Sequence, residues 1–313
     1  MKRPVILLVL GWFFCVGPVL AATCFNCHER ADFQGKVTHP PVAQGRCDRC
    51  HSPHVARHEA LLLQAQGPLC FSCHEETEAR IKQSRVFHQP VKEGACTQCH
   101  APHAAPNAGL LAKSGGKLCS GCHPQAQESF VHSHQPYRSG RCSACHDAHG
   151  GDDYRLLKRK DSSLCLACHK DEGRLQTVHR NYDPKRMDCL GCHHPHGGKE
   201  RSLLRQVQHQ PFAQNRCQSC HGKAPGADVC LACHEDVLSS FNRTHSHLQS
   251  SAGGNPCIAC HNPHVGDRPG LLPGNEGAGC RKCHEATFSR RAQMLHQHPG
   301  WNKCSDCHDL HGS

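Results

Sequence analysis

The sequence predicts a mostly irregular, loop-rich chain with short α-helices, little or no β-sheet, and a core that is not built from its own side chains. Three observations carry that reading. Aromatic residues are only 5% of the 313 residues, and cysteine supplies a good part of the 37% hydrophobic fraction; such a chain buries too little apolar surface to offset its conformational entropy. It holds 27 cysteines and 31 histidines, far outside ordinary globular composition. The cysteines recur in one unit, Cys-x-x-Cys-His, from end to end.

The first stretch, "MKRPVILLVLGWFFCVGPVLAA", has a basic start, an apolar run and a small-residue end. It reads as a secretory signal peptide over residues 1–22, cut after Ala21 or Ala22. Gly17 and Pro18 break the apolar run, which disfavours a membrane anchor. Cys15 leaves with the leader. No later segment is apolar enough to span a bilayer, so the expectation is an exported protein: periplasmic, or else outer-membrane-associated or extracellular.

The 26 remaining cysteines all fall in Cys-x-x-Cys pairs followed directly by histidine. The thirteen units are Cys24, Cys27 and His28; Cys47, Cys50 and His51; Cys70, Cys73 and His74; Cys96, Cys99 and His100; Cys119, Cys122 and His123; Cys142, Cys145 and His146; Cys165, Cys168 and His169; Cys189, Cys192 and His193; Cys217, Cys220 and His221; Cys230, Cys233 and His234; Cys257, Cys260 and His261; Cys280, Cys283 and His284; and Cys304, Cys307 and His308. A disulfide framework has no reason to place histidine after every second cysteine. A zinc site needs no histidine there either, and a thioredoxin-like pair would occur once, near a βαβ pattern. The unit is the attachment signature of c-type haem: two thiols form thioethers with the vinyl groups and the adjacent histidine is the proximal ligand. Thirteen units predict thirteen haems, about 22 residues for each, with the porphyrins stacked as the core.

The units alternate between two types. The first, as in "LCFSCHEE", leads into a polar, helix-prone stretch such as Glu75 to His88 or Glu285 to His296. The second is preceded by segments such as "HPPVAQGRC" or "HQPVKEGAC", and in most copies a further histidine follows three residues after the proximal one. Two leucines then stand seven and eight residues beyond that trailing histidine. The repeat is a two-haem module of about 46 to 49 residues. Histidines preceding a second-type unit are His39, His88, His134, His179, His209, His247 and His296; those trailing one are His54, His103, His149, His196, His264 and His311. Seven and six match thirteen irons, so these are the expected distal axial ligands. A trailing histidine lies too close in sequence to its own proximal neighbour to reach the opposite face of the same haem, so it should serve a neighbouring haem. His179 and His247 stand ten residues before the next cysteine, where the others stand eight, and lack the following proline. His58, His132, His194, His245 and His298 are spare. Met187 and Met294 read as packing residues, and the Leu-Leu pairs as apolar lids over haem edges.

The pattern breaks at "HQPFAQNRCQSCHGKAPGADVC", where a first-type unit is missing and Cys217 has no trailing histidine. The expected organisation is therefore four two-haem modules over 23–204, a single-haem unit over 205–229 at a bend or boundary, and two further modules over 230–313. Any open distal position is expected at the haem of Cys217 or of Cys230. The formal charge of +10 falls to +8 when Lys2 and Arg3 leave, and two propionates per haem take the holoprotein to about −5 oxidised and about −18 reduced. The basic sequence is thus no argument for a nucleic-acid partner.

With its doubled units and its "CHSPH", "CHAPH" and "CHHPH" endings, the mature chain resembles the multihaem c-type cytochromes with doubled Cys-x-x-Cys-His motifs. These include the periplasmic pentahaem donor of nitrite reductase and the porin-associated decahaem cytochromes. The resemblance implies an extended wire of closely spaced haems that moves electrons across the periplasm or outer membrane. Its partners would be quinol-linked or periplasmic cytochromes, or an outer-membrane porin with an extracellular cytochrome. An iron with histidine on both faces has no open site, so the expectation is an electron carrier and not an enzyme, with mostly negative potentials because methionine ligation is absent. The alternatives are a multihaem reductase of nitrite, sulfite or hydroxylamine, which needs a vacant distal position, and a subunit of an extracellular cytochrome filament.

Overall fold

The computed structural model describes residues 24–124, 128–152, 154–222, 226–247, 255–272, 274, 276–291, 296 and 303–312. The predicted leader, His298 and Met294 lie outside them. Among the described residues no helix is long and apolar enough to cross a membrane. The chain forms two compact units: one reaches residue 127 and takes in Gly140–Lys158, the other is Glu128–Ser139 with everything from Arg159 onward. Residues 205–229 fall within the second.

Each unit is a string of short helical turns joined by loops, as the composition requires. Only Ile81, Ala105 and Val265 are buried hydrophobic residues among those described. Side-chain packing of that extent holds no fold of this size. Glu75–Lys82 shows how the short helices persist: Glu75, Glu76 and Glu78 occupy the first turn and Arg80 and Lys82 the last, which complements the helix dipole. A Glu78–Lys82 ion pair at 2.7 Å adds to this. The helix expected as far as His88 stops at Lys82, because Val86–Phe87 is drawn into a strand pairing instead. The helix expected from Glu285 begins earlier, spanning Glu276–Arg291 with a kink at His284.

Among the described residues the strands form four antiparallel two-residue pairings, accompanied by isolated bridges such as His51 with Leu62 and His100 with Leu111. β1 (Val37–Thr38) and β2 (Val86–Phe87) lie before a preceding histidine, as do β4 (His132–Ser133) and β7 (Val207–Gln208). β3 (Ala104–Ala105), β5 (Gly150–Gly151), β6 (Gly197–Gly198) and β8 (Val265–Gly266) follow a trailing histidine. β1 pairs with β3, β2 with β5, β4 with β6 and β7 with β8. Each pairing joins the segment that precedes one second-type unit to the segment that trails the next second-type unit. In register, Val37 faces Ala105 and Thr38 faces Ala104.

After the preceding histidine comes a single helical turn: Pro40–Ala43, Gln89–Lys92, Gln135–Arg138 and Gln210–Ala213, each with proline in its first two positions. Proline is preorganised there and loses no hydrogen bond. The turn ends in a left-handed residue, Gly45, Gly94, Gly140 or Asn215, which redirects the chain into the next cysteine. At Gly140 (φ +67°) a Cβ would lie 2.8 Å from the Gly116 nitrogen. Only glycine lets these two cysteine-bearing segments approach so closely.

Candidate haem centres

The Cys-x-x-Cys-His units are built on helical turns, the one at Cys280 inside the helix Glu276–Arg291. In the other twelve the histidine amide donates to the carbonyl of the first cysteine at 2.8–3.0 Å, as in His51 to Cys47 (3.0 Å) and His193 to Cys189 (2.8 Å). Residues i, i+3 and i+4 of a turn share one face, so both thiols and the imidazole project to the same side. No disulfide joins any of the 26 described cysteines. Among the described residues no three His, Cys, Asp or Glu side chains converge as a metal cluster.

In the second-type units the chain clamps the proximal ring. The Nδ1–H of His51, His100, His146 and His193 donates to the carbonyl nine residues on, at Ala60 (2.8 Å), Gly109 (2.7 Å), Arg155 (2.7 Å) and Ser202 (2.7 Å); His261 does the same to Gly270. A bond at Nδ1 fixes the tautomer and leaves Nε2 for a metal. The carbonyl is aimed by the Leu-Leu pair. Its first leucine, Leu61, Leu110, Leu156, Leu203 or Leu271, has φ between +54° and +58°, a left-handed conformation uncommon for a non-glycine residue. Its carbonyl accepts the amide following the proximal histidine, Ser52 to Leu61 at 2.8 Å and Ala101 to Leu110 at 2.8 Å. The strap closes where Leu63 and Ala112 donate to Cys50 and Cys99, both at 2.9 Å. Sequence reasoning found these leucines by their fixed spacing but read only their side chains, not the backbone strap.

The structure brings ten proximal histidines against ten of the expected distal ones. The pairs and ring-centroid distances are His39–His74 (6.1 Å), His51–His103 (5.9 Å), His88–His123 (5.9 Å), His100–His149 (6.2 Å), His134–His169 (6.1 Å), His179–His193 (6.1 Å), His209–His234 (6.1 Å), His221–His264 (5.8 Å), His247–His284 (6.1 Å) and His261–His311 (6.1 Å). With nitrogen–metal bonds of about 2 Å on either side, two imidazoles sharing one metal set their centroids roughly 6 Å apart. The residues therefore fit an iron held between two rings. Burial pushes His39, His103, His149, His193 and His264 below the ordinary imidazole value, favouring the neutral form that binds metal.

The pairs obey a rule. A preceding histidine meets the first-type unit next along the chain, as His39 meets His74. A trailing histidine meets the second-type unit one step back, as His103 meets His51. The module joint holds both: His39 donates its backbone N–H to the His103 carbonyl (2.9 Å), as His134 does to His196 (2.8 Å) and His209 to His264 (2.8 Å). The preceding rings donate from Nδ1 to the carbonyl before the trailing histidine, His88 to Ala148 (2.9 Å), His134 to Pro195 (2.8 Å) and His209 to Pro263 (2.9 Å). His179 departs from the rule, meeting the second-type His193 that follows it. His28, His54, His296 and His308 have no histidine beside them among the described residues; His28 stands 6.1 Å from the Phe33 ring. His146 and His196 fall in different compact units. Of the spare histidines, His132 lies in β4 and His194 donates to the Gly197 carbonyl (3.1 Å).

In the irregular region, where sequence reasoning places any open distal position, His221 faces His264 and His234 faces His209. Arg205 bridges the gap left by the missing unit, pairing with Asp267 and donating to the Leu190 carbonyl. Asn262 ties in Gly191 (2.8 Å). Asn215 replaces the usual glycine here, and a groove of about 360 Å³ lined by Arg180 and Asn215–Ser219 lies beside it.

The thiols also order the units. Cys24 hydrogen-bonds Cys47, and the same first-cysteine contact joins Cys70 to Cys96, Cys119 to Cys142, Cys165 to Cys189, Cys230 to Cys257 and Cys280 to Cys304. Cys50 and Cys73, Cys99 and Cys122, and Cys260 and Cys280 are near enough to interact electrostatically. In each of these pairs the two attachment turns are neighbours in space. Beside Cys168 and His169 lies a cavity of about 610 Å³ bounded by Leu175 and Val178, within the range of cofactor pockets.

Paired attachment turns, histidines opposed across a metal's width and a near-absent side-chain core define a multihaem c-type cytochrome, an electron-transfer protein with covalently bound haem. The family model described as "Doubled CXXCH motif" matches four times, at residues 39–79, 88–128, 134–174 and 249–289, just over half of the chain. The chain belongs to that family. Each of the first three matches encloses one complete pair, His39 with His74, His88 with His123 and His134 with His169. No curated protein matches the chain.

Proposed function

We propose that the chain carries thirteen haems, each with two histidines on its iron, and passes electrons between redox proteins in or beyond the periplasm. The ten histidine pairs at 5.8–6.2 Å carry this reading. Their proximal members are the histidines of the Cys-x-x-Cys-His units, and their distal members come from the preceding and trailing set. When bound, haem supplies a one-electron ferric/ferrous couple. The protein's own contribution is positional. Nδ1 bonds hold the clamped rings in one tautomer, two rings per iron exclude substrate, and the thiol contacts keep paired centres adjacent.

In this reading the protein is a carrier and not an enzyme. A reductase would keep a vacant distal position, and the two units beside the break both have a second histidine at hand. The organisation proposed is four modules over 23–204, the single unit over 205–229 and two modules over 230–313, exported by the leader at 1–22. Donor and acceptor are other redox proteins, a quinol-linked or periplasmic cytochrome on one side and a porin-bound or extracellular cytochrome on the other. Intact mass spectrometry of the mature holoprotein tests the cofactor count: thirteen covalent haems are expected, and eleven or fewer would overturn the module reading.

A further inference from the structure

Two residues before each trailing histidine stands a side chain that haem attachment and ligation leave unused. It differs from copy to copy: Ser52, Ala101, Asp147, His194, Asn262 and Asp309. Where it is Asp or Asn it has a structural task. Its Oδ1 accepts the backbone amide of the trailing histidine, at 3.0 Å for Asp147 and His149, 2.9 Å for Asn262 and His264, and 3.2 Å for Asp309 and His311. Such a bond orders the turn that presents the ring. Asn262 makes it without a charge, so holding the turn does not require one.

Asp147 does more. The same Oδ1 lies 3.5 Å from Nδ1 of His149, the nitrogen that is left when Nε2 takes the metal. The preceding histidines His88, His134 and His209 give Nδ1 to a neutral backbone carbonyl instead. The two aspartates also differ in their surroundings. Asp309 is paired with Arg243, whereas Asp147 has no Lys or Arg ion-pair partner among the described residues. Arg80, on the helix Glu75–Lys82, reaches the His149 ring electrostatically and opposes Asp147 there. With its side chain 31% exposed, Asp147 is partly shielded from water.

We propose that Asp147 tunes the haem of Cys96 and Cys99 through His149, holding its reduction potential below the value an uncharged residue would give. The couple is the one-electron ferric/ferrous change of that iron, with a neighbouring haem giving or taking the electron. A fixed negative charge favours the ferric form, which carries one more positive charge, and an acceptor at Nδ1 makes the ring a more basic ligand. Acting across one imidazole ring, a unit charge in partly screened surroundings shifts the equilibrium roughly three- to tenfold. The neighbouring His146 is less affected, because its Nδ1 is taken by the Arg155 carbonyl (2.7 Å). The proposal rests on the two-histidine ligation proposed above.

Redox titration of the full-length holoprotein, followed by electron paramagnetic resonance, tests it. His149→Ala first identifies, by the low-spin signal it removes, the species that belongs to this haem. Asp147→Asn keeps the amide acceptor, as Asn262 does, and removes the charge. It should leave the haem count and the number of low-spin haems unchanged, while that one signal is lost to reduction at a higher potential. The expected shift is about three- to tenfold toward the ferrous form, tenfold being 59 mV for one electron. A midpoint that Asp147→Asn leaves unmoved overturns the proposal, and so does a shift shared equally by all the haems, which reports net charge alone. A haem turned high-spin by Asp147→Asn also overturns it, since Asp147 would then merely seat His149. If His149→Ala removes no low-spin signal, the ligation reading itself fails and the proposal falls with it, so the two failures are told apart.

Discussion

Replacing His149 with alanine removes one ring of the His100–His149 pair and little else. The backbone joint survives, because the His149 carbonyl still accepts from His88 (3.4 Å) and the His149 amide still donates to Asp147 (3.0 Å). Apart from the iron bond, the lost contacts are the approach of Nδ1 to Asp147 at 3.5 Å and the packing of a half-buried ring. An exposed pair of that kind contributes about 1 kcal/mol at most. The chain should therefore fold with all its haems, and one haem in thirteen, that of Cys96 and Cys99, should become high-spin and bind added imidazole. His88→Ala is the contrast. It should move the defect to the haem of Cys119 and also forfeit the Ala148 hydrogen bond, a further loss of about 0.5–1.5 kcal/mol. Electron paramagnetic resonance of the ferric proteins, quantified against haem, reads both. An unchanged low-spin spectrum in His149→Ala, or a defect spread over several haems, would refute the pairing.

Leu110→Pro should be among the most damaging single changes in the first unit. Proline cannot adopt φ +55°, so the strap that aims the Gly109 carbonyl at His100 would be lost, at a cost of about 3 kcal/mol in thermal or denaturant unfolding; Leu110→Gly should be tolerated far better. Gly140→Ala should destabilise by roughly 1–2 kcal/mol, from its positive φ and the Gly116 clash, whereas Asn215→Gly should be neutral or mildly stabilising. Apoprotein produced without haem attachment should show no cooperative unfolding transition by circular dichroism, because the folded side chains alone bury almost nothing; a sharp transition would contradict the haem-core account.

The attachment units were legible without coordinates because their chemistry is local: a thiol, a second thiol three residues on and a histidine beside it need only one turn of backbone. The pool of distal histidines was legible by count and offset. Which histidine meets which was not, because the answer lies in strand pairings two residues long, such as Val37–Thr38 with Ala104–Ala105, too short to leave an alternating pattern. The left-handed leucines were equally hidden, since nothing in a Leu-Leu pair announces a positive φ. One irregularity did carry through. His179 and His247, set apart by a longer spacing and a missing proline, belong to the two pairs whose rings are nearly perpendicular, at 80° and 86°. The other eight pairs lie between 6° and 43°. Without the proline-started turn, the chain delivers the ring from a different direction.

Those angles give the central claim its most direct test. Near-parallel imidazole planes on ferric haem give ordinary rhombic low-spin signals, and perpendicular planes give strongly anisotropic ones. Low-temperature electron paramagnetic resonance of the fully oxidised holoprotein, integrated per chain, should therefore show at least ten low-spin haems. At least two of them, those of His193 and His284, should be in the anisotropic class. Fewer than ten low-spin centres, or no anisotropic class at all, would contradict the histidine pairing on which the account rests.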